Sequence, residues 1–316
     1  YDLATGLGYN KSTWLYGDLT ERDTYEHNAG FFARKQVSIA ERAFLAGGLR
    51  FDTFKRIQDN PDTGERAERT DSAFSPNLGL SIAVIKHSSH RVNVFGSWGR
   101  GFSPVFRAVN NTQFADVKPE SSESFEGGVK GEFFDRRVEV TATVYQLERK
   151  DVVAMNPASK LQENVGDWRI QGVEADVRAR PIRSLVVYAA AAIRDPKIDK
   201  YIAAPIVEGN KIPAISSRML TAGAEYRTPI GLGVGSEVRA VSSAYGNEQN
   251  SFQLPAYALW DAWVHYDHKN TFRASLYVKN ILDSEYYTAV FNGSVKNGSA
   301  FAGLPRSYGA TLSTRF

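Results

Sequence analysis

The sequence predicts an all-β protein, a transmembrane antiparallel up-and-down β-barrel of about fourteen strands, and three observations predict it. Segments of about ten residues alternate apolar with polar side chains, the period that puts one greasy and one wet face on a strand. Short and long breaks between those segments alternate strictly, as periplasmic turns and extracellular loops do in outer-membrane barrels. In segment 168–180, Glu174, Asp176, Arg178 and Arg180 fall on one face, with Val173, Ala175, Val177 and Ala179 on the other. Four charges in a row do not fit a protein core, but two of each sign suit the wall of a watery lumen.

Taken in order, residues 1–13 form a weak first strand and 24–37 a second, with Phe31, Ala33 and Val37 opposite Phe32, Arg34 and Gln36. After the short break SIAER, segment 43–56 turns Leu45, Gly47, Leu49 and Phe51 outward and Arg50 and Asp52 inward. The stretch 57–70, holding DNPDTGERAERT, reads as a loop by its turn residues. Segments 71–84 and 91–101 are joined by KHSSH, and a long break follows over 102–118. Segments 120–132 and 137–148 make the clearest hairpin, closed by FFDRR, with Val138, Val140, Ala142 and Val144 alternating with Glu139, Thr141, Thr143 and Tyr145. After a loop at 149–166, strands are expected at 168–180, 184–194, 214–228, 232–243, 257–267, 272–282 and 304–316. Their short turns are RPIRS, TPIG and DHKN, and their long loops 195–213, 244–256 and 283–303. In the last strand Tyr308, Ala310, Leu312, Thr314 and Phe316 face lipid.

Several classes are excluded on composition. The longest apolar run, Leu185 to Ile193, has nine residues, whereas a spanning helix needs about 20 and a tilted barrel strand about 9 to 11. There is no cysteine, so no disulfide framework or thiolate metal site exists. A net charge of +3 from 38 basic and 35 acidic residues is too balanced for a nucleic-acid partner. The chain opens on Tyr1 without a signal peptide, which implies a removed leader or a longer parent. HSSH at 87–90 and HYDH at 265–268 have metal-like spacing but no third ligand, and read as turn residues. No serine sits in a G-x-S-x-G context and neither GGVKG nor GLGVG matches a phosphate loop, so no enzyme and no cofactor are expected. Those glycines read as strand positions at bends or on crowded faces.

Seven stretches carry a resemblance: DSAFSPNLGL, VFGSWGRGFSPVF, KPESSESFEGGVKGEF, VGDWRIQGVEADVRARP, YALWDAWVHYD, VKNILDSEYYT and GLPRSYGATLSTRF. In this order, across nearly the whole chain, they resemble the barrel of TonB-dependent outer-membrane receptors. The resemblance implies uptake of a scarce, bulky ligand such as a ferric siderophore, haem or a cobalamin, powered through TonB. It also implies that a final strand ending on Phe316 is read by the barrel assembly machinery. The family has a 22-stranded barrel with a plugged lumen. Residues 1–316 contain neither plug nor TonB box, so they look like part of the barrel alone, its carboxy-terminal two-thirds. The seam between 1–13 and 304–316 is expected to be open or poorly sealed.

Candidate ligand contacts lie in the long breaks: Arg100, Phe106, Arg107, Trp168, Tyr201, Tyr245, Phe252, Tyr286, Tyr287 and Phe291. Basic groups among aromatics suit an anionic, aromatic chelate held by charge and stacking. For Trp168, Tyr286 and Tyr287 the interfacial aromatic girdle is the favoured reading. Three functions remain open: an energised uptake receptor, a self-contained passive channel, and a structural fragment without transport of its own.

Overall fold

The computed structural model describes residues 23–61, 64–104, 117–155, 162–269, 271–291 and 299–314, and of a few of these, Phe291 among them, only the backbone. The strands are β1 (Asp23–Ile39), β2 (Ala43–Asn60), β3 (Glu65–Lys86), β4 (Arg91–Ser103), β5 (Glu120–Phe133), β6 (Val138–Met155), β7 (Gln162–Ile182), β8 (Leu185–Tyr201), β9 (Arg218–Arg227), β10 (Leu232–Val241), β11 (Ala244–Tyr245), β12 (Gln253–Leu254), β13 (Tyr257–His268), β14 (Phe272–Lys279), β15 (Tyr287–Phe291), β16 (Ser299–Ala302) and β17 (Ser307–Thr314). Thirteen of them join in one sheet in chain order, β1 to β10 and then β13, β14 and β17, and each neighbouring pair is antiparallel. The ribbons β11–β12 and β15–β16 lie within the last two long connections. No helix among the described residues is long and apolar enough to cross a membrane.

Register decides which side chains share a face. Val140 stands between Gly131 and Val177, Ala142 between Val129 and Ala175, and Val144 between Gly127 and Val173. One residue on, Thr141 stands between Lys130 and Asp176, and Glu139 between Glu132 and Arg178. The apolar side faces lipid and the polar side faces the lumen, the arrangement that a spanning barrel requires. In β17, Tyr308, Ala310, Leu312 and Thr314 align with Val278, Leu276, Ala274 and Phe272 on the lipid side, and Tyr308 and Leu312 are 71% and 70% exposed. Glu174, Asp176 and Arg178 are on the inner side as expected; Arg180 follows at the turn, where the β7–β8 register shifts. Inner charges pair along their own strands at i and i+2: Arg50 with Asp52, Glu225 with Arg227, and Glu237 with Arg239.

All six short connections fall where the alternation placed them. They are tight enough to force non-glycine residues to positive φ, as at Phe134, Asp135 and Arg136 (55°, 55° and 64°). His87 and His90 stack on each other in one such turn, with ring centroids 6.0 Å apart.

The long connections correct the sequence reading. Segment 57–70 is not a loop: β2 continues to Asn60 and β3 begins at Glu65. Within 149–166, β6 reaches Met155 and β7 begins at Gln162, and β8 runs on to Tyr201. The cause is visible in the outer face, where Val144, Val173 and Ile193 are followed by Gln146, Gln171 and Asp195. Above the hydrocarbon both faces meet water, so the apolar alternation stops while the backbone ladder continues. At about 3.3 Å per residue the 22 residues of β3 extend roughly 70 Å, and even with a tilt near 45° they rise about twice the ~25 Å apolar band.

The expected strand count of about fourteen includes segment 1–13, which lies outside the described residues, as does Phe316. The expectation about the seam between 1–13 and 304–316 falls there too. Among the described residues β1 and β17 each pair on one side only.

The assignment of faces gives a direct test. Val140→Arg should destabilise the refolded barrel by about 2 to 4 kcal/mol, and Thr141→Arg by far less. A denaturant titration in lipid vesicles measures both, and equal effects would contradict the register.

A candidate ligand-binding mouth at the long-connection end

At the long-connection end the inner side of β6, β7 and β8 does not stay open. Register places Ile170 beside Pro196 and Trp168 beside Ile198, and the chain after β8 folds back over them. Val152, Val165, Ile198, Tyr201, Val207 and Ile212 form a buried cluster there, with Trp168, Ile170 and Ile215 packed against it. A single 3-10 turn, Pro205–Val207, shapes the returning chain, and Lys197 and Lys211 bridge through their backbones. Arg149 lies over the Trp168 ring, 5.3 Å from its centroid, and is ion-paired with Glu120. Burial pushes the Tyr201 phenol pKa up.

The next connection is fastened to this one. Asn250, at φ 53°, accepts from the Lys211 backbone N–H (2.8 Å) and donates to the Lys211 carbonyl (2.9 Å), imitating one rung of a strand ladder. Asn210 donates to the Glu248 carbonyl and the Ala214 N–H to the Tyr245 carbonyl, both at 2.8 Å. On the outer side Lys211 also meets Asp195, and its ammonium holds that carboxyl below the ordinary carboxylate range. Residues 202–217 and 242–256 therefore act as one piece.

The third long connection is organised by Asn280, which is buried and at φ 52°. Its N–H donates to Asp261 (2.8 Å), its amide donates to the Ser284 and Leu304 carbonyls, and its side-chain oxygen accepts from the Ser284 N–H. Asp283 adds a bond from the Arg306 N–H at 2.7 Å. These anchors set Tyr286 against Tyr257, with centroids 4.7 Å apart and planes tilted 35°, and over Gly303, where any Cβ would collide with the ring. Tyr257 and Arg239 are inner-side residues of adjacent strands, because Val241 pairs with Tyr257 and Arg239 with Leu259. Lys279 lies over the Tyr277 ring at 5.4 Å. Two phenol rings in contact and a guanidinium thus line one inner stretch of the mouth, while Lys279 lies further along the same face over Tyr277. Such a surface stacks on flat rings and attracts anions.

The sequence-selected residues divide accordingly. Tyr286 and Tyr287 are in this third connection, and Tyr245 and Phe252 are half-buried in the ribbon fastened to Lys211. Tyr201 is 3% exposed and Trp168 half-buried in the inward-folded cluster, so neither presents a free ring. Trp168 is on the inner side, away from the lipid girdle. Arg100 stands opposite Glu123, on the face that carries Val94, Trp98 and Phe125, so it points out of the wall. Phe106 and Arg107 lie outside the described residues, and of Phe291 only the backbone is described. Sequence reasoning missed Arg239, Tyr257, Lys279 and the two asparagines. The parity of β10 and β13 marks the inner side for Arg239 and Tyr257, and asparagine in a connection is itself a signal for positive φ.

The glycine stretches prove to be crowded faces: the Phe95 ring covers Gly128, and Trp263 covers Gly235.

A wall of thirteen antiparallel strands, apolar outside and charged inside, with tight turns at one end and structured long connections at the other, defines an outer-membrane β-barrel. The family model described as TonB dependent receptor-like, beta-barrel matches residues 1–281, and the chain belongs to that family, whose members are outer-membrane proteins of Gram-negative bacteria. It is 29% identical over 279 residues to the probable TonB-dependent receptor BfrD of Bordetella pertussis, covering 81% of this chain and 37% of that protein. It is 26% identical over 300 residues to the ferrichrome outer membrane transporter/phage receptor of Escherichia coli, covering 92% of this chain and 38% of that one. The siderophore receptor PiuA from Acinetobacter baumannii superposes with a TM-score of 0.77 at 20% identity, over 92% of this chain and 43% of that chain. The chain thus spans about two fifths of the length of these relatives.

Two outcomes follow for the fastened connections. Asn250→Ala should loosen them by about 1 to 3 kcal/mol, seen as faster amide exchange across 208–216 and 246–252 with the β-sheet spectrum unchanged. The Asp195 contribution has the sign of a depressed carboxyl. It is complete above the unfolded pKa of about 3.9 and is lost as pH falls through the lower folded value. Acid should therefore increase pepsin nicking of 202–217 in the parent chain, and Asp195→Asn should remove that pH dependence.

Proposed function

We propose that this chain is the greater part of the barrel wall of an energised uptake receptor that takes a ferric siderophore through its extracellular mouth. The observation that carries the reading is the Tyr257–Tyr286 ring pair with Arg239 on the adjacent strand of the same inner face. An anionic iron chelate with flat catecholate rings matches it by stacking and by charge. The names of relatives support the ligand class, since they include receptors for ferrichrome and ferrioxamine. Tyr245, Phe252 and Tyr287 are further contacts in this proposal, and Phe106, Arg107 and Phe291 extend it to segments or side chains outside the description. The work of transport comes from the inner membrane through TonB, engaged by residues outside this sequence. Phe316 presents the last strand to the assembly machinery. The family consists of transport receptors rather than enzymes, in keeping with a role in which the ligand passes unchanged.

The test is a binding titration on the full-length receptor with ferric catecholates and ferric hydroxamates. Tyr286→Ala and Arg239→Ala should each weaken the preferred chelate about tenfold, equivalent to 1.4 kcal/mol. Unchanged affinity in both variants for every chelate that binds would remove the site from this wall.

A further inference from the structure

The outer wall is not uniform. At the short-turn end of β10, β13, β14 and β17, register forms a row of Leu232, Tyr266, Ala274 and Leu312, and above it a row of Val234, Val264, Leu276 and Ala310. The two alanines sit diagonally between larger neighbours, and the wall sinks there into a depression of about 510 Å³ lined by Leu232, Tyr266, Leu276 and Leu312. Directly below, Tyr266, His268 and Phe272 gather at the turn. His268 stacks on Phe272 with centroids 5.3 Å apart and planes at 22°, and the Tyr266 hydroxyl is 3.4 Å from His268 Nδ1. Lys269 follows, exposed at φ 43°. Neither Lys269 nor His268 has an ion-pair partner among the described residues, because the nearby Asp267 is on the inner side, paired with Arg273.

We propose that this place holds one phospholipid of the periplasmic leaflet, with an acyl chain in the Ala274–Ala310 depression and its phosphate against Lys269 and His268. Three features select this occupant. The depression opens within the lipid-facing band, so what fills it is hydrocarbon. It ends at the short-turn side, which is periplasmic, beside an unpaired cation at headgroup height, where basic side chains attract anionic headgroups. It is also a narrow hollow, whereas a stable protein partner covers a total of about 1,200 to 2,000 Å² with a raised complementary surface. The stacked rings fix the boundary between chain and headgroup, as aromatics do at membrane interfaces.

The experiment uses the full-length receptor reconstituted in nanodiscs of equal parts phosphatidylethanolamine and phosphatidylglycerol, released into mild detergent and weighed by native mass spectrometry. One retained phospholipid is expected. Ala310→Leu, which fills the hollow, should lower the retained fraction several-fold, and Lys269→Glu should lower it most for phosphatidylglycerol. Ala222→Leu, elsewhere on the outer wall, should leave it unchanged and serves as the control for folding. Equal retention by Ala310→Leu and Ala222→Leu would overturn the proposal in favour of ordinary shell lipid. Displacement by inorganic phosphate alone would reduce the site to an anion contact, preference for lipopolysaccharide would assign the wrong leaflet, and a retained second copy of the chain would assign the hollow to an oligomer.

Discussion

In hydrocarbon no water is present to satisfy a backbone N–H or C=O, and each one left alone costs several kcal/mol. Every strand in the spanning band must therefore pair with a neighbour in an unbroken ladder. Once it does, the pleat leaves no choice about side chains: the register that joins Val140 to Val177 also joins Thr141 to Asp176. The greasy exterior, the charged interior and the i, i+2 ion pairs along single strands are consequences of that ladder. So is the division of labour between the ends, since only beyond the band can the chain leave the sheet without penalty.

The same reasoning explains what could be read from the sequence. The six tight turns were legible because alternation persists up to them, as in Val138 to Val144 beside FFDRR. The far ends were not legible. At DNPDTGERAERT both faces are wet, so the residues resemble a loop although all but the tip is ladder. Arg100, grouped with the ligand contacts of a long break, shares the parity of Trp98, which turns it outward. The covering of the Tyr201 and Trp168 rings was not legible either, because nothing local announces that residues 202–217 fold inward over them. That burial depends on Val207 and Ile212 arriving from further along the chain, a tertiary fact.

The mouth therefore consists of parts with different freedom. Asn250 and Asn280 do similar work at two corners, each using a left-handed backbone and a side-chain amide to bind a neighbouring segment. Ordering the binding side in advance lowers the entropic cost of capturing a ligand. The Tyr257–Tyr286 pair is held in place by such anchors, so under the proposed function affinity for a chelate depends on complementarity more than on rearrangement.

Large rings lying across glycines recur around the inner wall: Tyr188 over Gly223, Trp263 over Gly235, Tyr277 over Gly309. A ring laid flat on a bare backbone adds aromatic surface while projecting little further than a short side chain would. At those three positions the inner wall is therefore low and flat, between taller charged side chains such as Glu225, Glu237 and Arg239.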